Sequence, residues 1–132
     1  KKYCITSKNI ELQNEEMGYS NTLNEYNFAT LWMALNQKNF PKYQNLKSEP
    51  AKHEMLNAIL VGHILSFFRN TGVELSPSER LFSKTNLKAK STMFKENKMV
   101  AFSGSFIVNA KLPTEIGLGK SVSRGFGTII PS

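Results

Sequence analysis

The chain is 132 residues long and carries 17 lysines and arginines against 10 aspartates and glutamates, a formal net charge of +7. That length suits one domain with a small core, and the basic surplus favours a polyanionic partner, nucleic acid before an anionic membrane surface. A single cysteine, Cys4, excludes an internal disulfide and fits a reducing cytoplasm, and no apolar run is long enough to span a bilayer.

In chain order, Lys1-Lys2-Tyr3 opens without an initiator methionine and reads as part of a longer protein, with residues 1–24 expected to be a linker or an extra hairpin from an upstream domain. Within it, Tyr3-Cys4-Ile5-Thr6 and Ile10-Glu11-Leu12 read as short extended segments and Asn14-Glu15-Glu16-Met17-Gly18 as a turn. Residues 28–35 form an apolar octet without alternation, the pattern of a central strand covered on both faces. Residues 36–47 are polar and contain Pro41, so a loop or short helix is expected. The clearest helix follows. Ser48 suits the N-cap, Glu49 and Pro50 the first turn, and Gly72 the position after the C-cap. Met55, Leu56, Ile59, Leu60, Ile64, Phe67 and Phe68 recur along one helical face, which should pack on a sheet.

Two strands come next. Leu81, Thr85, Leu87, Ala89 and Met93 share one face of the first; Phe82, Lys84, Asn86, Lys88, Lys90 and Phe94 share the other. Val100, Phe102, Phe106, Val108 and Ala110 alternate with Ser103, Ser105 and Asn109 in the second, and Lys95-Glu96-Asn97-Lys98 is the expected hairpin turn. A glycine-rich loop precedes a last short strand at residues 127–130. Strand, helix, strand, strand, loop or short helix, strand is the ferredoxin-like order, an α+β fold with an antiparallel sheet, one long helix and a shortened second one; residues 25–132 make up this domain. In it the first and third strands lie centrally.

The loop reads Gly117-Leu118-Gly119-Lys120-Ser121-Val122-Ser123-Arg124-Gly125-Phe126-Gly127 and holds four of the chain's eight glycines. Bare main chain lets N–H groups converge on an anion, Lys120 and Arg124 supply charge, and Ser121 and Ser123 supply donors. The functional reading is a loop that grips phosphate; the alternative is a glycine-rich surface turn. A nucleotide-binding P-loop does not fit, because Thr114 stands where its first glycine belongs and Gly125 and Gly127 oppose a helix after Lys120-Ser121.

The fold order together with Gly-x-Gly-Lys-Ser-x-Ser-Arg-Gly-Phe-Gly at its end resembles the CRISPR repeat-processing endoribonucleases of the RAMP superfamily. Tyr26-Asn27-Phe28-Ala29-Thr30-Leu31-Trp32-Met33-Ala34-Leu35-Asn36, Ile59-Leu60-Val61-Gly62-His63-Ile64-Leu65 and residues 102–112 also look like segments of that family, so the resemblance covers roughly residues 25–130. It implies a prokaryotic cytoplasmic protein of antiviral defence, built from two ferredoxin-like domains of which this is the second. CRISPR repeat RNA is then the partner, contacted through Gly117, Gly119, Lys120, Ser121, Ser123, Arg124, Gly125 and Gly127. It implies cleavage without a metal or other cofactor, by attack of a ribose 2′-hydroxyl, with the catalytic histidine in the upstream domain. The superfamily also contains non-catalytic RNA-binding scaffolds, whose partners include other subunits of a CRISPR effector complex.

Other residues carry weaker signals. Lys84, Lys88 and Lys90 share a strand face and either contact RNA or form a solvated charged face. His63 sits on the helix's apolar stripe and reads as a core or boundary histidine, and His53 as an exposed one in the first helical turn. Trp32, Phe28, Phe102 and Phe106 read as core, so no platform for stacking bases is expected on the sheet. The general base is not identifiable from these residues.

Overall fold

A computed structural model of the chain describes residues 17–94, 97–119 and 121–132. The extended segments expected at residues 3–6 and 10–12, residues 14–16 of the turn at 14–18, and Lys95 and Glu96 of the hairpin turn lie outside the described residues. Strand β1 (Gly18–Phe28) is followed by helix α1 (Asn39–Asn45), helix α2 (Glu49–Asn70), strands β2 (Ser83–Phe94) and β3 (Asn97–Lys111), a 3-10 turn at Val122–Arg124 and strand β4 (Ile129–Pro131). The four strands form one sheet in the order β2-β3-β1-β4, every pair antiparallel. β1 and β3 are central, as the ferredoxin-like order requires.

Helix α2 has the ends that its sequence encodes. The Ser48 hydroxyl accepts from the Ala51 N–H at 3.2 Å and Pro50 lies in the first turn. At the other end Thr71 is the C-cap, Gly72 follows with φ +81°, and the Val73 N–H donates to the Phe68 carbonyl at 2.8 Å, which closes the last turn with a reversed backbone hydrogen bond. Leu56, Leu60, Ile64 and Phe68 are one row at four-residue spacing, and all are buried. They meet Phe102, Phe106, Val108, Tyr26, Phe28 and Trp32 from the sheet side. Each such side chain contributes about 1.5–3 kcal/mol when removed from water. Asn57 pins the helix to β2: its Oδ1 accepts from the Thr85 N–H at 2.9 Å and the Thr85 hydroxyl at 2.7 Å, and its backbone carbonyl accepts from the Ser83 hydroxyl at 3.0 Å.

The hairpin of β2 and β3 keeps one register from Ser83↔Val108 to Phe94↔Asn97. Ser83 and Thr85 face α2, so Lys84, Asn86, Lys88 and Lys90 stand on the opposite, uncovered face, all exposed.

The apolar octet at residues 28–35 is not a continuous strand. β1 is an eleven-residue strand that begins at Gly18 and ends at Phe28, so residues 18–24 lie in the sheet. Ala29, Thr30 and Leu31 then leave the ladder, and Trp32 returns to β3 in an isolated bridge with Phe102, with N···O distances of 2.8 and 2.9 Å. The octet is apolar because Trp32, Met33, Ala34 and Leu35 are buried as the chain leaves the sheet for α1. The last strand is displaced likewise, to Ile129–Pro131; its terminal proline suits an edge strand, which lacks a ladder partner on one side.

Candidate nucleic-acid interface

The displaced segment at residues 29–31 is what holds the glycine loop. Ala29 donates to the Thr128 carbonyl at 2.7 Å, Gly127 donates to the Leu31 carbonyl at 2.7 Å, and the Thr128 N–H donates to the Thr30 hydroxyl at 2.9 Å. Across the neck of the loop, Leu118 donates to Gly127 at 3.0 Å and Ile129 to Ile116 at 2.9 Å. Leu118 is buried and plugs the loop into the core. At the tip Ser121 takes a left-handed conformation (φ +61°), the 3-10 turn follows, and Gly125 ends it at φ +91°. Arg124 and Phe126 donate to the Ser121 carbonyl and Gly125 to that of Val122.

Half of the loop's described amides, those of Leu118, Arg124, Gly125, Phe126 and Gly127, therefore hold it in place. Those of Gly117, Gly119 and Ser121 make no hydrogen bond to protein among the described residues. Two glycines show why composition alone misleads. A Cβ on Gly119 would stand 2.8 Å from Trp32 Nε1, 2.9 Å from the Met33 carbonyl oxygen and 3.1 Å from His63 Cε1, whereas one on Gly125 would meet nothing within 4 Å. Gly119 is demanded by close packing, and Gly125 by its dihedral angle alone.

Of the other site residues expected from sequence, Arg124 and Gly125 are exposed at the tip, Ser123 lies in the 3-10 turn, Gly127 is buried in the neck, and Lys120 lies outside the described residues. Lys84, Lys88 and Lys90 are not brought to the loop. They stand on the uncovered face of one edge strand, while the loop leads into the other edge strand and lies against α2 on the covered side.

His63 is the link between loop and core. Its Nδ1 accepts from Trp32 Nε1 at 3.2 Å, its ring meets the indole edge-on at 5.5 Å, and burial holds its pKa below the ordinary imidazole range. This is the boundary histidine its position implied. Around it the sequence reading missed a row on α2: His63, Ser66, Phe67 and Asn70, spaced i, i+3, i+4, i+7, line a cavity of about 320 Å³ whose other wall is Gly117, Leu118, Gly119 and Val122 of the loop. The spacing was a usable signal, obscured because Phe67 belongs to the apolar stripe. His53 is exposed and lines a separate cavity of about 410 Å³ with Tyr43, Glu49 and Lys52, against the inner face of the β2–β3 hairpin. Burial, with Glu49 adding to it, pushes the Tyr43 phenol up. The aromatic side chains read as core are core: Phe28 stacks on Trp32 at 5.1 Å, and Trp32, Phe102 and Phe106 are buried. No helix among the described residues is long and apolar enough to cross a membrane.

The sheet order defines a ferredoxin-like α+β domain. More narrowly, residues 18–132 match the model of the Cas6b C-terminal domain, and the chain belongs to that family. Two crystal structures of Cas6b, one described as a CRISPR RNA processing endoribonuclease, superpose with a TM-score of 0.83 at 40% identity over 88% of this chain. The chain spans 52% and 58% of those two proteins, little more than half their length. Csf5, a type IV Cas6 crRNA endonuclease, shares the fold at a TM-score of 0.54 and 15% identity, over 89% of this chain and 46% of its own. MJ0978, an uncharacterised protein of Methanocaldococcus jannaschii, is 35% identical over 130 residues, which is 97% of this chain and 86% of that protein.

Proposed function

We propose that the chain is the RNA-holding C-terminal part of a CRISPR repeat-RNA processing endoribonuclease. The observation that carries this reading is the similarity over residues 18–132 to the Cas6b C-terminal domain, with 40% identity to a structure described as a CRISPR RNA processing endoribonuclease. The net charge of +7 is in keeping with an RNA partner. In this reading the glycine loop meets the RNA backbone at its tip, where the Ser121 amide is unclaimed among the described residues and Arg124 is exposed. Lys120 and Ser123 add charge and a donor. The lysines of β2 reach RNA only if the strand wraps the far edge of the sheet, so the loop is the primary contact.

Cleavage belongs to the whole protein. The ribose 2′-oxygen attacks the adjacent phosphorus and the bond from phosphorus to the 5′-oxygen breaks. The 2′-hydroxyl proton goes to a general base and the leaving 5′-oxygen takes one from an acid, giving a 2′,3′-cyclic phosphate and a 5′-hydroxyl. The reading assigns the base to a histidine in the part of the protein outside this chain, since His63 is engaged by Trp32.

The test is incubation of the full-length protein with end-labelled repeat RNA in excess chelator, together with binding titrations of wild type, Lys120→Ala and Arg124→Ala at two salt concentrations. The expected result is a cyclic-phosphate product, weaker binding by both variants and a salt slope flatter by about one. Binding without cleavage makes the protein a scaffold subunit. Variants that match wild type at both salts remove the loop from the interface, and no binding to repeat RNA overturns the reading.

A further inference from the structure

We infer that the cavity between α2 and the glycine loop receives one unstacked nucleobase of the bound RNA, read by Asn70, Ser66 and His63 while the neighbouring phosphates lie at the loop tip. This rests on the RNA-binding reading above and adds a site of base selection to it. Size comes first: about 320 Å³ lies at the small end of ligand pockets, roughly 300–1,000 Å³. A single heterocycle fits within it. The lining suits one too. Phe67 is half-buried and lends part of its ring, Leu118 and Val122 supply apolar surface opposite, and the polar groups are few.

Those polar groups are unspent. The side chains of Ser66 and Asn70 are exposed and make no hydrogen bond among the described residues. Because His63 Nδ1 accepts from Trp32, the neutral ring carries its proton on Nε2, a donor for which no described residue provides an acceptor. The Gly119 amide is a further donor at the same wall. Asn70 offers both a donor and an acceptor, the pair that matches the edge of a base.

Electrostatics decides between base and phosphate. The row His63, Ser66, Phe67, Asn70 runs into the last turn of α2, where the helix presents its negative end, and Arg69 of that turn lines the neighbouring cavity with Gly72 and Val73, not this one. A phosphate placed there is disfavoured and a neutral heterocycle is not. Anion binding is left to the loop tip with Arg124, and a nucleotide spanning the two puts its base in the cavity.

The experiment uses full-length protein and a series of repeat RNAs, each abasic at one unpaired nucleotide with the backbone kept. Wild type is expected to show one position where removing the base weakens binding about tenfold. Asn70→Ala and Ser66→Ala, both surface changes to a strong helix former, should bind intact RNA more weakly and lose that positional penalty, while retaining the wild-type melting temperature. Wild-type binding that is insensitive to every abasic position, or a penalty unchanged in both variants, overturns the base site and leaves the RNA-binding reading intact. Absence of RNA binding by wild type overturns both. Competition by free nucleoside monophosphates at equal concentration overturns the claim that the base must come from a strand.

Discussion

Gly119 and Gly125 have nearly identical φ angles, +92° and +91°, and opposite surroundings. Replacing each by alanine therefore separates the cost of a dihedral angle from the cost of close packing. The left-handed conformation costs a side chain about 1–2 kcal/mol at either position. At Gly125 that is the whole effect. At Gly119 the new methyl meets the Trp32 indole nitrogen at 2.8 Å and the Met33 carbonyl oxygen at 2.9 Å, inside ordinary contact. Trp32 has no room to yield, being fully buried, stacked on Phe28 and bonded to His63. Overpacking of this kind adds about 1–3 kcal/mol. The totals are about 1–2 kcal/mol for Gly125→Ala and about 2–5 kcal/mol for Gly119→Ala. For a domain of this length, each kcal/mol moves the melting temperature by about 3–4 °C. Thermal unfolding followed by far-UV circular dichroism should lower Tm by about 3–8 °C for Gly125→Ala and by about 6–20 °C for Gly119→Ala. Equal shifts, or the larger shift at Gly125, would refute the claim that the loop is fitted against Trp32 and His63.

Tyr26→Phe removes a buried hydroxyl that accepts from the Leu112 N–H at 2.8 Å and donates to the Leu112 carbonyl at 3.3 Å; urea denaturation should show a loss of about 1–3 kcal/mol, because a buried amide is left without its acceptor. His63 has a folded pKa below its unfolded value of about 6.5, so the unfolded state binds the proton more tightly and stability is complete above that pH and declines as pH falls through the folded pKa. Wild-type Tm measured from pH 7.5 down to 5 is thus expected to drop below about pH 6.5, and His63→Gln to lose that component of the drop. Thr30→Val takes away the acceptor of the Thr128 amide. As an exposed bond worth about 0.5–1.5 kcal/mol, its loss should lower Tm by about 2–6 °C while hydrogen exchange at Gly127 and Thr128 quickens; unchanged exchange would detach the loop from the segment at residues 29–31.

Local signals were legible in the sequence. Ser48, Pro50, Gly72 and the row Leu56, Leu60, Ile64, Phe68 fix α2 without reference to the rest of the chain. The alternation in β2 and β3 fixes their faces, since a slip by one residue would bury Lys84 and Lys88. What was not legible depends on long-range pairing. Most of β1 reads as polar because only its Tyr26 and Phe28 end packs into the aromatic core, and a bulge between Tyr19 and Asn24 breaks the alternation. The octet misleads for the converse reason: Trp32 to Leu35 are buried by tertiary packing with little strand pairing. The candidate lysines and the glycine loop were each found, but their separation follows from which strands lie at the two edges, which periodicity does not encode.

The glycine loop joins these two kinds of information. Its composition announces an unusual backbone, yet its shape is imposed from residues almost a hundred positions earlier: the segment at residues 29–31 supplies two main-chain partners and one hydroxyl to its neck, and Trp32 with His63 sets how closely Gly119 must approach. A free glycine-rich segment would have to be ordered on binding, at a cost to affinity that grows with each residue fixed. A neck tied at Leu31 and Thr30, with Leu118 buried beneath it, meets that cost during folding. In the RNA-binding reading the Ser121 amide is then presented from a fixed neck, and the three-residue departure after β1 becomes the structural requirement for the loop that it holds.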